Sequence, residues 1–140
     1  MDDVLLDTHV LSELVKPKPD ARVMRFFLST NELWLSSMTL HELAYGADRA
    51  LDPRRREKLV AWISRIRADY ADRTIAVNDT LAEASGRLRA LAARRGRPVS
   101  VIDAIIASTA QAHGLRLATR NTRDFELFAV DVFDPWEGAE

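Results

Sequence analysis

The sequence predicts a single α/β domain, in which helices cover both faces of a central parallel sheet as a three-layer α/β/α sandwich. Short apolar segments alternate with longer segments of helical periodicity along the 140 residues. The short segments show no alternation of apolar and polar residues, as expected for strands that are buried on both faces. The length is that of one ordinary domain, residues 1–140.

The first half of the chain contains two expected strands, at 3–6 and 33–35. The helix expected after the first strand is stopped by Pro17 and Pro19. The clearest amphipathic helix spans 54–71, because Leu59, Ile63 and Ile66 recur at spacings of three and four. The other helices expected in this half are at 8–15, 21–28 and 39–49.

The second half begins with a strand rich in β-branched residues at 74–77. The next helix ends before Gly96 and Pro98, and an unusually apolar helix follows that ends at Gly114. These two helices are expected at 80–95 and 101–113, and the last strands at 116–119 and 129–132. Trp136 is expected to dock on the domain, with a frayed tail after it.

Composition narrows the classes of function. The net charge of −1, from 20 basic and 21 acidic residues, does not indicate a globally basic nucleic-acid binder. The absence of cysteine excludes disulfides, thiolate metal sites and cysteine nucleophiles. No apolar run approaches the ~20 residues that span a bilayer, and the first residues are acidic where a signal peptide would be basic. A cytoplasmic protein without membrane contact is therefore expected.

Four carboxylates lie beside strongly apolar sequence, where an unpaired ionised acid is costly. They are Asp7, Glu42, Asp103 and Asp124. Ligands of open parallel sheets bind outside the carboxyl ends of the strands, and all four acids are expected at that edge. Carboxylate oxygens are the ligands that Mg²⁺ and Mn²⁺ prefer, so the four acids are candidate metal ligands.

Helix capping is the structural alternative for each acid. Residues 39–42 form a capping-box pattern and residues 100–103 a close relative of one. Asp7 is in position to cap the helix at Thr8, and Asp124 to cap a turn before Phe125. Each acid taken alone is better explained as a cap, whereas the joint pattern favours a metal site.

Other chemistries find less support. No glycine-rich phosphate loop is present, and His9, His41 and His113 do not have zinc-ligand spacing. A receiver domain also places acids at strand ends, but no lysine follows the late strands. Arginine accounts for 17 of the 20 basic residues, with clusters at 54–58 and 87–97 that are either solvated helix faces or contacts to RNA or a partner.

Four segments follow one another along the chain: residues 5–14 read LLDTHVLSEL, 39–46 TLHELAYG, 101–107 VIDAIIA and 118–125 ATRNTRDF. In this order they resemble the PIN-domain family, in particular the VapC-type toxins of bacterial toxin–antitoxin pairs and their FitB-like branch. Each segment alone is weak evidence, whereas the ordered set is specific and covers nearly the whole chain. The residue after Asp7-Thr8 is often Asn in the family, and here it is His9.

The resemblance implies a PIN-like fold and a Mg²⁺- or Mn²⁺-dependent endoribonuclease, the toxin of a type II toxin–antitoxin pair that a cognate VapB-like antitoxin inhibits. It assigns the family's acidic positions to Asp7, Glu42, Asp103 and Asp124, and its hydroxyl and amide positions to Thr119 and Asn121. It also implies a homodimer, or a dimer of toxin–antitoxin heterodimers. The alternative is a catalytically weak binding module that represses transcription with a DNA-binding antitoxin.

Overall fold

A parallel five-stranded sheet forms the centre of the molecule in the computed structural model, which describes residues 3–29 and 32–137. The strands are β1 (Asp3–Leu6), β2 (Glu32–Ser36), β3 (Thr74–Ile75), β4 (Arg116–Ala118) and β5 (Val132–Phe133). The helices are α1 (Thr8–Ser12), α2 (Ala21–Phe27), α3 (Ser37–Arg49), α4 (Pro53–Asp69), α5 (Asp79–Arg94) and α6 (Val101–His113). Short 3₁₀ turns lie at Glu13–Val15, Thr122–Phe125 and Pro135–Glu137.

The strand order is β3-β2-β1-β4-β5, and the paired strands are parallel. The chain first builds outward from β1 through β2 to β3, then returns to the other side of β1 to add β4 and β5. The crevice between the carboxyl ends of β1 and β4 is therefore the topological switch point, where ligands of open α/β sheets bind. The predicted α/β class with a central parallel sheet is confirmed.

The two faces of the sheet bury separate apolar clusters. Val4 and Leu6 point to the face that α1–α4 cover, where they pack with Phe26, Trp62 and other buried side chains. Leu5 points to the opposite face and packs against the apolar side of α6 and against Phe125. Because both faces are buried, β1 is apolar at its three buried positions, 4–6, and lacks the alternation of a half-exposed strand.

Local signals in the sequence explain where the helices begin and end. A polar side chain caps the amino end of each α-helix, and Gly114 ends α6 in the left-handed conformation with φ of 63°. The helix predicted at 101–113 has those bounds in the structure. The capping residues are Asp7, Asp20, Ser36, Asp52, Asn78 and Ser100.

Several predicted bounds were wrong; for example, β3 ends at Ile75 and not at 77, and α4 ends at Asp69 and not at 71. α3 begins at Ser37, because the Ser36 hydroxyl, and not that of Thr39, caps it by accepting a hydrogen bond from the Met38 amide at 3.0 Å. The last strand is Val132–Phe133 and not 129–132, since those residues align with Leu117 and Ala118 of β4. The first helix is α-helical only to Ser12 and continues as a 3₁₀ turn.

The end of the described chain packs on the domain as predicted. Trp136 is buried in the cluster beneath α1–α4, and the Arg120 guanidinium lies 4.5 Å from the centre of its ring. The predicted fraying of 138–140 lies outside the described residues. No helix in the described part of the chain has the length and apolarity needed to cross a membrane.

Candidate active site

Asp7 lies at the carboxyl end of β1, and three hydrogen bonds hold it there. Its backbone amide donates to the Ala118 carbonyl at 3.0 Å, which continues the pairing of β1 with β4. Its Oδ1 accepts from the Thr8 amide at 2.8 Å, and its Oδ2 accepts from the Thr119 hydroxyl at 2.8 Å. The side chain is only 6% exposed, so the carboxylate is held in one orientation at the switch point.

Thr119 links Asp7 to the loop after β4. Its hydroxyl donates to Asp7 and accepts a hydrogen bond from the Asn121 amide at 3.0 Å. Its own amide donates to the Phe133 carbonyl at 3.0 Å, and the side chain is fully buried. The structure therefore brings together three of the six predicted site residues, Asp7, Thr119 and Asn121, through direct hydrogen bonds.

Asp103 occupies the third position of α6. The Ser100 side chain accepts a hydrogen bond from the Asp103 amide at 3.0 Å, so the capping interaction of residues 100–103 does form. The Ser100 side chain also forms a hydrogen bond with the Asp103 carboxylate, and this bond lowers the pKa of the carboxyl. Burial is the largest cause of a rise in the pKa of the Asp103 carboxyl to about 6, and the nearby charges of Asp7 and Asp124 contribute to that rise.

Asp124 completes a group of three carboxylates that interact electrostatically. It lies in the 3₁₀ turn Thr122–Phe125, where its amide donates to the Asn121 carbonyl at 3.0 Å. The turn has no side-chain cap, so the capping role considered for Asp124 is not present. We call Asp7, Asp103 and Asp124 the acidic centre, because the charges of the other two act on Asp103.

Glu42 occupies a different position relative to this centre. Since α3 begins at Ser37, Glu42 lies in the second turn of the helix and not in the first. It lines a groove of about 640 Å³, together with Leu43 and Trp62, and it is not among the groups that shift the pKa of Asp103. We call this surface, which lies between α1, α3 and α4, the α3–α4 groove.

The donor set of the acidic centre fits a hard divalent cation. Carboxylates supply the oxygen ligands, and their mutual repulsion is what a bound cation relieves. The Thr8 hydroxyl beside Asp7 is buried and makes no hydrogen bond within residues 3–29 and 32–137. Within the same residues, however, no three acid or histidine side chains are close enough to one another to form a complete ligand set.

Glu13 is a buried acid that the sequence interpretation missed. Its Oε2 accepts from the Asp20 amide at 2.8 Å, and Lys16 Nζ lies 2.9 Å from its Oε1. The ion pair with Lys16 holds the pKa of the Glu13 carboxyl below its ordinary value, although burial opposes this. The signal was available, since Glu13 lies among apolar residues as the four chosen acids do.

Replacement of Glu13 by glutamine is expected to destabilise the protein at neutral pH, because it removes the charge that Lys16 and the Asp20 amide stabilise. A carboxyl with a depressed pKa in the folded state stabilises the fold above its unfolded pKa, and this contribution is lost as the pH falls. The difference in unfolding free energy between wild type and Glu13→Gln should therefore shrink below about pH 4.5. Urea unfolding at a series of pH values measures this difference in unfolding free energy. If the difference is constant with pH, the Glu13 carboxyl does not have a depressed pKa in the folded protein.

The fold and the site define a class of protein: an α/β nuclease-like domain with acids at the switch point of a parallel sheet. The PIN domain family model matches residues 4–130, and the chain belongs to this family.

Two curated relatives match nearly the whole chain. Toxin FitB of Neisseria gonorrhoeae is 32% identical over 136 residues, which cover 95% of this chain and 98% of FitB. The tRNA(fMet)-specific endonuclease VapC of Salmonella typhimurium is 38% identical over 133 residues, covering 94% and 96% of the two chains. Among solved structures, that of FitAB bound to the IR36 DNA fragment superposes with a TM-score of 0.87 at 31% identity, covering 95% of each chain.

Proposed function

We propose that this chain, as one domain over residues 1–140, is a Mg²⁺- or Mn²⁺-dependent endoribonuclease that acts as the toxin of a toxin–antitoxin pair. The observation that carries the proposal is the acidic centre, in which a half-buried Asp103 has a pKa raised by its burial and by the charges of Asp7 and Asp124. Like charges that lie together at the switch point destabilise the folded state. Their presence there is explained if they bind a cation that in turn binds the substrate. The similarity to a tRNA-specific endonuclease over nearly the full length supports RNA as the substrate.

The residues of the chain have distinct roles in this proposal. Asp7 and Asp103 would hold the metal directly, and Asp124 and Glu42 would complete the site directly or through water. The chemistry that a bound metal would supply is activation of a water nucleophile and neutralisation of charge on the phosphate. Thr119 positions Asp7, because its hydroxyl donates to the carboxylate and is itself held by the Asn121 amide. Asn121 thereby connects the loop after β4 to the metal ligand on β1.

A cognate antitoxin is the proposed partner, and the α3–α4 groove is its proposed binding site. The similarity to FitB in a FitAB complex supports a two-chain assembly. Apolar side chains such as Leu43 and Trp62 line the groove beside charged ones such as Arg55. Leu51, which also lines it, is 93% exposed. Glu42 is part of the same lining. We propose a dimer of toxin–antitoxin heterodimers in the cytoplasm, where the RNA substrate is.

A second candidate function is a binding module that represses transcription with its antitoxin. The observation in its favour is that the similar FitAB complex was solved on DNA. The acidic centre favours the enzyme, because a DNA-tethered module has no need for three carboxylates whose charges act on one another. The two functions are compatible within one toxin–antitoxin complex.

The proposal is tested by RNA cleavage with the purified chain. Total tRNA is incubated with Mg²⁺, with Mn²⁺ or with EDTA, using wild type and Asp7→Asn. Cleavage that requires a divalent cation and is lost in Asp7→Asn supports the nuclease. If a folded wild-type chain leaves tRNA and other RNA intact with either metal, the binding module is the better description.

Metal binding should also be visible without any reaction. Millimolar Mg²⁺ or Mn²⁺ is expected to raise the melting temperature, because a ligand that binds only the folded state stabilises it by mass action. At a hundred times its dissociation constant the gain is about 2.7 kcal/mol. Differential scanning fluorimetry compares wild type with a variant in which Asp7, Glu42, Asp103 and Asp124 are changed to amides, at constant ionic strength. An equal shift in both would place the cation elsewhere.

A further inference from the structure

Two small pockets are lined in part by residues of the loop after β4, and the second of them includes Asp124 of the acidic centre. The first, of about 190 Å³, is lined by His9, Lys16, Arg120 and Asn121, among others. The second, of about 220 Å³, is lined by Arg97, Pro98, Val99, Arg123 and Asp124. Asn121 precedes the turn that contains Asp124, so each pocket is lined by one predicted site residue of the same short segment, Asn121 in the first and Asp124 in the second.

Arg120 is the cation that gives the first pocket its charge. Lys16 is already paired with the buried Glu13 at 2.9 Å, whereas none of the ion pairs formed among residues 3–29 and 32–137 includes Arg120. The Arg120 guanidinium stacks 4.5 Å from the centre of the buried Trp136 ring. A cation–π contact of this kind holds the side chain in place while its N–H groups still point to solvent.

Arg123 has the corresponding role in the second pocket. Arg97 donates from Nη2 to the Arg123 carbonyl at 2.7 Å and pairs with Glu126 at 3.2 Å. Arg97 is thus neutralised and fixes the backbone of the turn. Arg123 remains exposed, and it too is absent from the ion pairs of the described residues.

From this arrangement we infer that the RNA strand crosses the acidic centre between the two pockets, with flanking phosphates bound by Arg120 on one side and Arg123 on the other. The inference rests on the proposed nuclease function. An anionic strand is repelled by three carboxylates, so binding requires cations on either side of them. Each pocket is several times the ~30 Å³ of a water molecule, which leaves room for a phosphate group. Arginine suits this role because its planar guanidinium binds phosphate oxygens in pairs.

Salt-dependent binding tests the inference directly. A fluorescent single-stranded oligoribonucleotide of mixed sequence is titrated with the Asp103→Asn protein in Mg²⁺, over a range of KCl concentrations. Adding Arg120→Gln or Arg123→Gln should weaken binding about tenfold and reduce the slope of log K against log salt by about 0.7 each, the value for one phosphate on a single strand. The double variant should lose twice that slope. Arg120→Lys should keep the slope, because it keeps the charge.

Arg89→Gln is the matched control, since Arg89 is an exposed arginine on α5 that lines neither pocket. In otherwise wild-type protein, both pocket variants should raise KM for RNA more than they lower kcat. If wild type cleaves RNA and the pocket variants have the slope and KM of Arg89→Gln, the two-pocket path is wrong. If wild type cleaves no RNA, the proposed function fails instead. If Arg120→Lys also reduces the slope of log K against log salt, Arg120 has a structural role. That result would overturn phosphate binding by Arg120.

Discussion

Asp103→Asn is expected to abolish RNA cleavage and, in metal-free buffer at neutral pH, to make the protein more stable. The substitution keeps the shape of the side chain and removes the charge that a hard cation needs. We expect the rate to fall at least about a hundredfold, more than loss of a residue that only orients a ligand. The gain in stability follows because the ionised Asp103 is half-buried beside two other acids.

The pH dependence of this stability gain has a definite sign. The pKa of Asp103 is about 6 in the folded protein, above the ordinary value of 3.8. Between these values the folded state binds more protons than the unfolded state, so the unfolding free energy of wild type falls as the pH rises. The unfolding free energy of Asp103→Asn lacks this fall. The difference in unfolding free energy between the variant and wild type should therefore be absent near pH 3.8, grow up to about pH 6 and then remain constant.

Urea unfolding in EDTA at a series of pH values measures the stability gain of Asp103→Asn over wild type. Single-turnover cleavage of RNA measures the cleavage rate. Asp79→Asn is the matched control, because Asp79 lies in the first turn of α5 as Asp103 lies in that of α6. Asp79→Asn should change neither the rate of RNA cleavage nor the pH dependence of the unfolding free energy. A stable Asp103→Asn protein that cleaves RNA at the wild-type rate would remove Asp103 from the metal site. A variant that is less stable than wild type at neutral pH would show that the carboxylate is satisfied in the fold.

The parts of the site that the sequence predicts are those that local signals determine. Asp7 directly follows a short buried strand, and α6 lies between a serine cap and a left-handed glycine, so their positions follow from nearby residues. The connection of Asp7 to Thr119 spans 112 residues, yet it follows from the position of each residue at the end of a parallel strand.

Other features depend on contacts that a sequence pattern does not show. Ser36 and Thr39 are both good caps and both are fully buried. The helix begins directly after Ser36, where β2 ends, and a sequence pattern does not show where that strand ends. The last strand depends on β4: Arg116 bonds Asp131 at 2.9 Å and stacks over Phe133, which sets the register of Val132–Phe133. The stacking of Arg120 on Trp136 likewise joins residues that are distant in the chain.

Filling the α3–α4 groove is expected to release the enzyme from its antitoxin. Gly46 lies on α3, lines the groove, and has open space around the position of a Cβ atom. Gly46→Trp therefore places a large side chain in the groove without a clash at its base. Because apolar anchors in a groove supply most of the affinity of such a complex, we expect the antitoxin to bind at least about a hundredfold more weakly.

Gly86 on α5 is a matched control, since it is also helical and exposed, has the same open space and does not line the groove. Calorimetry measures antitoxin affinity for Gly46→Trp and Gly86→Trp. A cleavage assay measures, for each variant, the fraction of its own activity that a fixed antitoxin concentration suppresses. The antitoxin should suppress Gly86→Trp as it does wild type and leave most of the activity of Gly46→Trp. If both variants are inhibited equally, the antitoxin binds outside the groove, and the exposed Leu51 beside it needs another explanation.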